Sequence, residues 1–247
     1  MNLSQPSKFA ALPACVLLDL DNTLYPYAPS HTAGMTAVRN LAKELLGLAE
    51  PDFDRCFDEA RAELKARLGA QASSHNRLLY FQMTLERAGL STRPLEALQL
   101  EQAYWLAYLD KMHLFPNVLN FLDDLRLLGV PAVIVTDLTA AIQMRKMVAL
   151  GLDSSIEWVV TSEESGRDKP DAASFELALA KLGGVDGAIW MIGDDRERDL
   201  GGAKQSVGAT TLLFMAEKGA KTDGDDIDGS FSDYGDLRDL LDKAKAP

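Results

Sequence analysis

The sequence predicts an α/β fold, a doubly wound parallel sheet interrupted after its first strand by an all-helical insert. Three observations predict it. Short apolar runs alternate with amphipathic helical stretches through the second half of the chain, the pattern of repeated βαβ units. Residues 30–113 contain no convincing β-run and carry helical periodicity throughout. The apolar run ahead of that insert ends abruptly in two carboxylates, Asp19 and Asp21.

Residues 1–13 read as a loose, polar, proline-containing lead-in, and the first strand covers about 14–20. Two prolines within 24–29 exclude a regular helix there and predict an exposed flap. Apolar residues at helical spacing (Val38, Leu41, Leu45 and Leu46) predict a helix over 36–48. Pro51 and Asp52 open a second helix that Gly69 closes, a third runs over 74–88 up to Gly89, and a fourth over 94–111. The insert is therefore the size of a small helical bundle.

Beyond Phe115 and Pro116 the pattern changes. Helices are expected over 117–128, 138–150, 171–182, 197–206 and 234–245, and strands over 130–135, 156–160, 188–192 and 210–215. Residues 161–169 read as a polar loop and 219–230, rich in Gly, Asp and Lys, as a surface loop. The domains follow: a core of 1–27 and 114–247, with a helical domain of 28–113 inserted in it.

Composition narrows the function classes. The formal net charge of −12 argues against nucleic acid and anionic membranes as partners, since both need basic surface. An anionic ligand would need a local positive source, a metal ion or one well-placed lysine. Cys15 and Cys56 make no disulfide framework. The stretch 9–18 faintly resembles an export segment, but Lys8 is its one basic flank and it is far shorter than the roughly 20 apolar residues of a membrane span. A cytoplasmic location is the expectation.

Side chains two apart on a strand share a face, so Asp19 and Asp21 should converge just past the strand's carboxyl end, where open α/β sheets bind ligands. Crowded acids are tolerable if a cation sits between them or one is protonated. Three further polar stations fall beyond later strands: Thr136, Lys169, and the group Asp194, Asp195 and Asp199. An oxygen-only set of this kind favours a hard ion, most simply Mg²⁺. Thr136 or Asp137 could equally cap the next helix, and Asp195 could favour a helix start by its charge.

In this order the stations resemble the haloacid dehalogenase superfamily, whose core is Rossmann-like. Asp19-Leu20-Asp21-Asn22-Thr23 matches its first motif, Thr136 its second, Gly166 through Lys169-Pro170-Asp171 its third, and Gly193-Asp194 through Asp199 its fourth. The resemblance implies Asp19 as a nucleophile forming an aspartyl-phosphate and Asp21 as general acid and base, the latter with a raised pKa. It implies Mg²⁺ held by Asp19, the Asp21 backbone carbonyl and Asp194. Thr136 and Lys169 would bind phosphoryl oxygens, with Asp199 and Asp195 holding metal-bound water or orienting Lys169. An acid at Asp21 suits an alkoxide leaving group, which favours a phosphatase over a dehalogenase.

A receiver domain would carry its acidic pair and phosphoacceptor ahead of the threonine and lysine; here acids flank them at both ends. A non-catalytic phosphate-binding protein on the same fold, or a phosphotransferase, remains open at this point. The insert would serve as a cap that favours a small soluble phosphoester, and His75, Asn76, Arg77 and Tyr80 are its candidate specificity residues. The run Asp19 to Pro26 looks most like pyrimidine 5′-nucleotidases, so a nucleoside 5′-monophosphate is the first expected substrate. A sugar phosphate or phosphoglycolate is the alternative.

Overall fold

Cys15–Leu18, four consecutive residues with no exposed surface, form an interior strand of the sheet, paired on both sides. Burial on both faces is why this strand reads as an unbroken apolar run instead of an alternating one. The computed structural model describes residues 1–216 and 227–245. Its strands are β1 (Asn2–Leu3), β2 (Cys15–Leu18), β3 (Ala132–Thr136), β4 (Trp158–Thr161), β5 (Ile189–Gly193), β6 (Thr210–Phe214) and β7 (Gly229–Phe231). They lie in the order β1-β7-β6-β5-β2-β3-β4, and every pairing is parallel except that of β1 with β7. Leu17 sits opposite Val133 on one side and Met191 on the other. Strand order reverses at β2, so the loops leaving β2, β3 and β5 open side by side.

The helices are α1 (Tyr27–Leu46), α2 (Glu50–Leu68), α3 (Arg77–Arg87), α4 (Pro94–Lys111), α5 (Val118–Leu127), α6 (Ala140–Ala149), α7 (Ser162–Ser165), α8 (Ala172–Lys181), α9 (Gly202–Val207) and α10 (Tyr234–Lys245). The chain divides into two compact units, residues 1–26 with 113–247 and residues 27–112. In the first unit Cys15, Leu17, Val133 and Met191 pack with Phe175 and Ala178 of α8 and Ala203 of α9. On the opposite face the Tyr234 ring of α10 meets Phe214 of β6 and Phe121 of α5. Each buried Leu, Val, Met or Phe among these contributes about 1.5–3 kcal/mol over an exposed one.

The second unit is wholly helical, with α1 packed on α4 and α2 on α3. Gly34 permits the closest approach, since a Cβ there would lie 2.7 Å from the Tyr104 ring. Cys15 and Cys56 are both free and buried, and burial pushes the Cys15 thiol up to about 11.

Five segments depart from the sequence expectation, the first being the polar loop 161–169, which contains the helical turn α7 capped by the Thr161 hydroxyl. The lead-in is not loose. Asn2–Leu3 pairs with β7, Phe9 packs edge-on against Trp190, and the Lys8 ammonium binds Asp228 at 2.8 Å. The stretch 24–29 is no exposed flap, because Leu24 and Tyr25 are fully buried and Pro29 lies in the first turn of α1. A proline is tolerated there because first-turn N–H groups have no intrahelical acceptor. The expected helix 197–206 begins with a wider turn over Arg196–Gly201, in which Leu200 N–H reaches back five residues to the Asp195 carbonyl. Of the expected surface loop 219–230, residues 219–226 lie outside the described residues, Ile227 and Asp228 are buried, and β7 follows.

Asp228 ties the lead-in to the segment before β7. Its carboxylate accepts from Lys8 Nζ at 2.8 Å, Thr211 N at 3.0 Å and Thr211 Oγ1 at 3.2 Å. Burial alone would raise its pKa, but the Lys8 hydrogen bond and the Thr211 N–H outweigh it and hold the carboxyl below its usual range. A depressed folded pKa stabilises above the unfolded value of about 3.9 and is lost as pH falls through the folded one. Asp228→Ala should cost about 2–3 kcal/mol at pH 7 in urea unfolding. That difference should shrink when the same titration is run near pH 3.

Candidate active site

The ammonium of Lys169, itself 4% exposed, is the hub of the sheet's carboxyl edge. It donates to Asp19 Oδ1 at 2.6 Å, to Asp199 Oδ1 at 2.6 Å and to the Val135 carbonyl at 2.9 Å. Asp19 follows the last residue of β2 and stays in register, its N–H donating to the Ile192 carbonyl at 2.9 Å. Its other oxygen accepts from Thr23 Oγ1 at 2.8 Å. Asp199 can come this close because residue 193 is glycine; a Cβ there would lie 2.4 Å from Asp199 Oδ2. Carboxylate oxygens of Asp19, Asp194 and Asp199 lie within 4.8 Å of one another.

Three carboxylates thus face one ammonium. Burial pushes the Asp194 carboxyl up to about 6, with the Asp199 charge adding to the effect. Burial raises Asp19 too; Lys169 offsets part of this, and Asp199 and Asp194 reinforce it. Burial would lower Lys169, but Asp19 and Asp199 reverse that and keep it cationic. The excess negative charge and the all-oxygen donor set fit a hard divalent cation.

Asp21 does not share that hub. Lys146 Nζ of α6 donates to both of its oxygens, at 2.7 and 2.8 Å, and the Tyr25 hydroxyl donates to Oδ1. Burial acts to raise Asp21, but the Lys146 charge and the hydrogen bonds from Lys146 and Tyr25 hold its carboxyl below the usual range. The raised pKa expected of Asp21 is therefore corrected: in this arrangement it is a carboxylate. The two acids at the end of β2 are stabilised by two separate lysines.

Thr136 ends β3 with its hydroxyl buried, and Oγ1 accepts from Gln143 Nε2 at 2.7 Å. Neither Thr136 nor Asp137 caps α6, whose Ala140 N–H donates to Glu163 at 2.8 Å. Asp137 instead accepts from the Lys169 N–H at 2.9 Å and from Arg198. Leu138, the residue after Asp137, holds φ 107, a strained region for a residue with a Cβ, and its N–H is fixed by Ser162 Oγ at 2.9 Å. Asp195 does not orient Lys169. Its carboxylate caps the wide turn, accepting from Glu197 N at 3.0 Å and Arg198 N at 2.9 Å. Tyr234, which donates to the Thr23 carbonyl at 2.9 Å, is raised by burial and by Asp19 and Asp194.

The helical unit holds the four candidate specificity residues. Asn76 caps α3 through the Leu79 N–H, and Tyr80 donates to the Ser74 carbonyl at 2.5 Å, so both polar groups serve the local fold. The His75 carbonyl accepts from Arg77 Nη1 at 3.0 Å. Arg77 is buried over the rings of Tyr80, Tyr104 and Trp105, and its Nη2 donates to the Tyr27 hydroxyl at 2.8 Å. Sequence reading missed Lys146, Gln143, Tyr25 and Tyr234. A lysine and a glutamine on the apolar face of α6, beside Ile142 and Met147, were the available signal for two of them.

A chain whose parallel sheet gathers Asp19, Lys169, Asp194 and Asp199 at one edge has the layout of one hydrolase class. The model of the haloacid dehalogenase-like hydrolase family matches residues 13–206, and the chain belongs to that family. It is 41% identical over 235 residues to ribulose-1,5-bisphosphate 5-phosphatase of Halopiger xanaduensis, covering 92% of this chain and 98% of that protein. It is 30% identical to glyceraldehyde 3-phosphate phosphatase of Methanopyrus kandleri, over 82% of this chain and 84% of that one. The 2-haloacid dehalogenase of Pseudomonas syringae pv. tomato shares the fold, with a TM-score of 0.76 at 22% identity over 94% of this chain and 99% of that one. The chain is a phosphatase that acts on a phosphorylated small molecule. Among the described residues no helix is long and apolar enough to cross a membrane.

Removing the hub cation leaves Asp19 and Asp199 buried without a counter-charge. Lys169→Met should cost about 3–5 kcal/mol at pH 7, read as a lowered urea midpoint at unchanged slope.

Proposed function

We propose that this chain is a Mg²⁺-dependent sugar-phosphate phosphatase that works through a phosphorylated Asp19. The observation that carries the substrate class is the 41% identity, over 92% of the chain, to a phosphatase named for a five-carbon sugar bisphosphate. The relative named for glyceraldehyde 3-phosphate points to the same chemistry, a small hydroxy-carbonyl phosphoester. This moves the preference from nucleoside 5′-monophosphates to the sugar phosphates that the sequence offered second. The nucleotide reading retains the support of the run from Asp19 to Pro26.

Asp19 is the nucleophile of this proposal. Thr23 and Lys169 hold its two oxygens, which removes the rotational freedom an attacking carboxylate would otherwise lose on reaction. A bond forms between an Asp19 oxygen and phosphorus while the ester P–O bond breaks, and the departing alkoxide takes a proton that the Asp21 carboxylate first picks up when the negatively charged phosphate binds beside it. Water then attacks the phosphorus, Asp21 takes up the water's proton, and the Asp19–phosphorus bond breaks to release phosphate. Lys169 and the Thr136 hydroxyl bind the non-transferring oxygens, where charge accumulates. Gln143 supports this by donating to Thr136 Oγ1, so the hydroxyl proton, which reaches the Asp137 carbonyl only at 3.4 Å, can turn to a phosphoryl oxygen.

Asp19, Asp194 and the Asp21 backbone carbonyl would hold Mg²⁺, with Asp199 close by. When bound, the ion supplies charge neutralisation between a phosphate dianion and an ionised Asp19. The helical unit is the expected bearer of leaving-group selectivity, with Arg77 its buried cation.

A phosphate-release panel tests the reading, covering ribulose 1,5-bisphosphate, glyceraldehyde 3-phosphate, phosphoglycolate and a nucleoside 5′-monophosphate. The sugar phosphates should give the highest kcat/KM, chelator should abolish release, and added Mg²⁺ should restore it. Asp19→Asn should lower kcat on the order of 10³-fold or more. A nucleotide outpacing every sugar phosphate would overturn the substrate class, and full activity in chelator the metal.

A further inference from the structure

Carboxylates offer about four lone-pair positions, two on each oxygen. On Asp21 three of them are filled by described hydrogen bonds. Oδ1 accepts from both Lys146 Nζ and the Tyr25 hydroxyl, and Oδ2 accepts from Lys146 Nζ alone. The Lys146 side chain is 1% exposed, while that of Asp21 is 25% exposed, so the pair is a buried ammonium clamping a partly open acid. We propose that Lys146 and Tyr25 are positioning residues that orient Asp21 so that Oδ2 is the oxygen exchanging the proton with the leaving group and with water.

Helix α6 carries two polar side chains where its packing calls for apolar ones. Its inward face combines Ile142 and Met147 with Gln143 and Lys146. Gln143 and Lys146 are three residues apart and so lie on one side of the helix. Each reaches a different functional group, Gln143 the Thr136 hydroxyl and Lys146 the Asp21 carboxylate. A buried ion pair adds little stability over apolar residues of similar volume, so packing alone gives no reason for a lysine here. What the pair does supply is orientation. Two contacts from one ammonium and a third from Tyr25 fix the rotation of the carboxylate, which an aspartate at the end of a strand would otherwise sample freely. The Tyr25 ring also lies 5.8 Å from the Lys146 ammonium, which holds the clamp as one unit.

The inference rests on the reading of Asp21 as proton donor and acceptor, and the experiment separates the two. Leaving groups differ in their need for a proton: a sugar alkoxide cannot depart without one, whereas 4-nitrophenolate can. A residue that positions the acid must therefore affect the two esters unequally; a residue that merely supports the fold lowers both alike. Lys146→Met, Lys146→Arg, Tyr25→Phe and Asp21→Asn would be assayed on 4-nitrophenyl phosphate and on the sugar phosphate that the parent hydrolyses fastest.

Lys146→Met is expected to lower kcat on the sugar phosphate at least about ten-fold more than on 4-nitrophenyl phosphate, with KM for both little changed. Tyr25→Phe, which keeps the ring and guards against a misfolded lysine variant, should shift the ratio in the same direction by less. Lys146→Arg should recover part of the sugar-phosphate rate. Equal losses on both esters in Lys146→Met and Tyr25→Phe, with Asp21→Asn showing the split, would overturn the positioning role alone. No split in Asp21→Asn would overturn the acid–base reading and this inference with it.

Discussion

One buried ammonium holds together parts of the chain that are far apart in sequence. Lys169 bonds Asp19 after β2, the Val135 carbonyl in β3 and Asp199 in the turn after β5. A charge this deep is tolerable because carboxylates meet it, and the carboxylates are tolerable because it is there. The balance is incomplete by design of the sequence: Asp194 joins the cluster without bringing a second cation. The remaining negative charge is what a divalent ion at this edge of the sheet would offset. Gly193 is the steric condition for all of it, since any side chain there would displace Asp199.

Much of this arrangement was legible in the residues. Apolar runs that stop at an acid or a hydroxyl marked the ends of β2, β3 and β5, because strands buried on both faces leave a continuous hydrophobic signal. Glycine stops and proline starts gave α2 and α4 nearly to the residue. What stayed hidden depends on partners distant in sequence. Lys146 is an ordinary surface type until α6 turns it toward Asp21, 125 residues earlier. Asp195 could not be told from a ligand until the wide turn placed two N–H groups over it. Tyr25 was masked by neighbouring prolines, one of which proved compatible with a helix start.

The helical unit illustrates the same limit in another way. His75, Asn76, Arg77 and Tyr80 stood out as a dense polar and aromatic tract, and the tract is dense because it begins a helix. Asn76 and Tyr80 satisfy backbone groups, while Arg77 is walled by rings from α3 and α4. His31, stacked on Tyr27, is lowered to about 4, first by burial and then by Arg77, and so stays uncharged at neutral pH. The unit's interior is therefore cationic without an opposing carboxylate among its described contacts with Arg77.

The insertion point also governs how the chain reaches its fold. β2 pairs with β3 although Leu18 and its partner Ile134 are more than a hundred residues apart, and closing so long a loop is slow. The helical unit shortens that search. It is contiguous in sequence, and the Tyr27 and Tyr108 rings near its two ends touch, with centroids 5.8 Å apart. Once it has folded, the stretch separating β2 from β3 behaves as a short connection. During synthesis, however, β2 emerges well before either of its neighbours. Until they arrive, its apolar run has both edges unpaired, the condition that invites pairing with another chain.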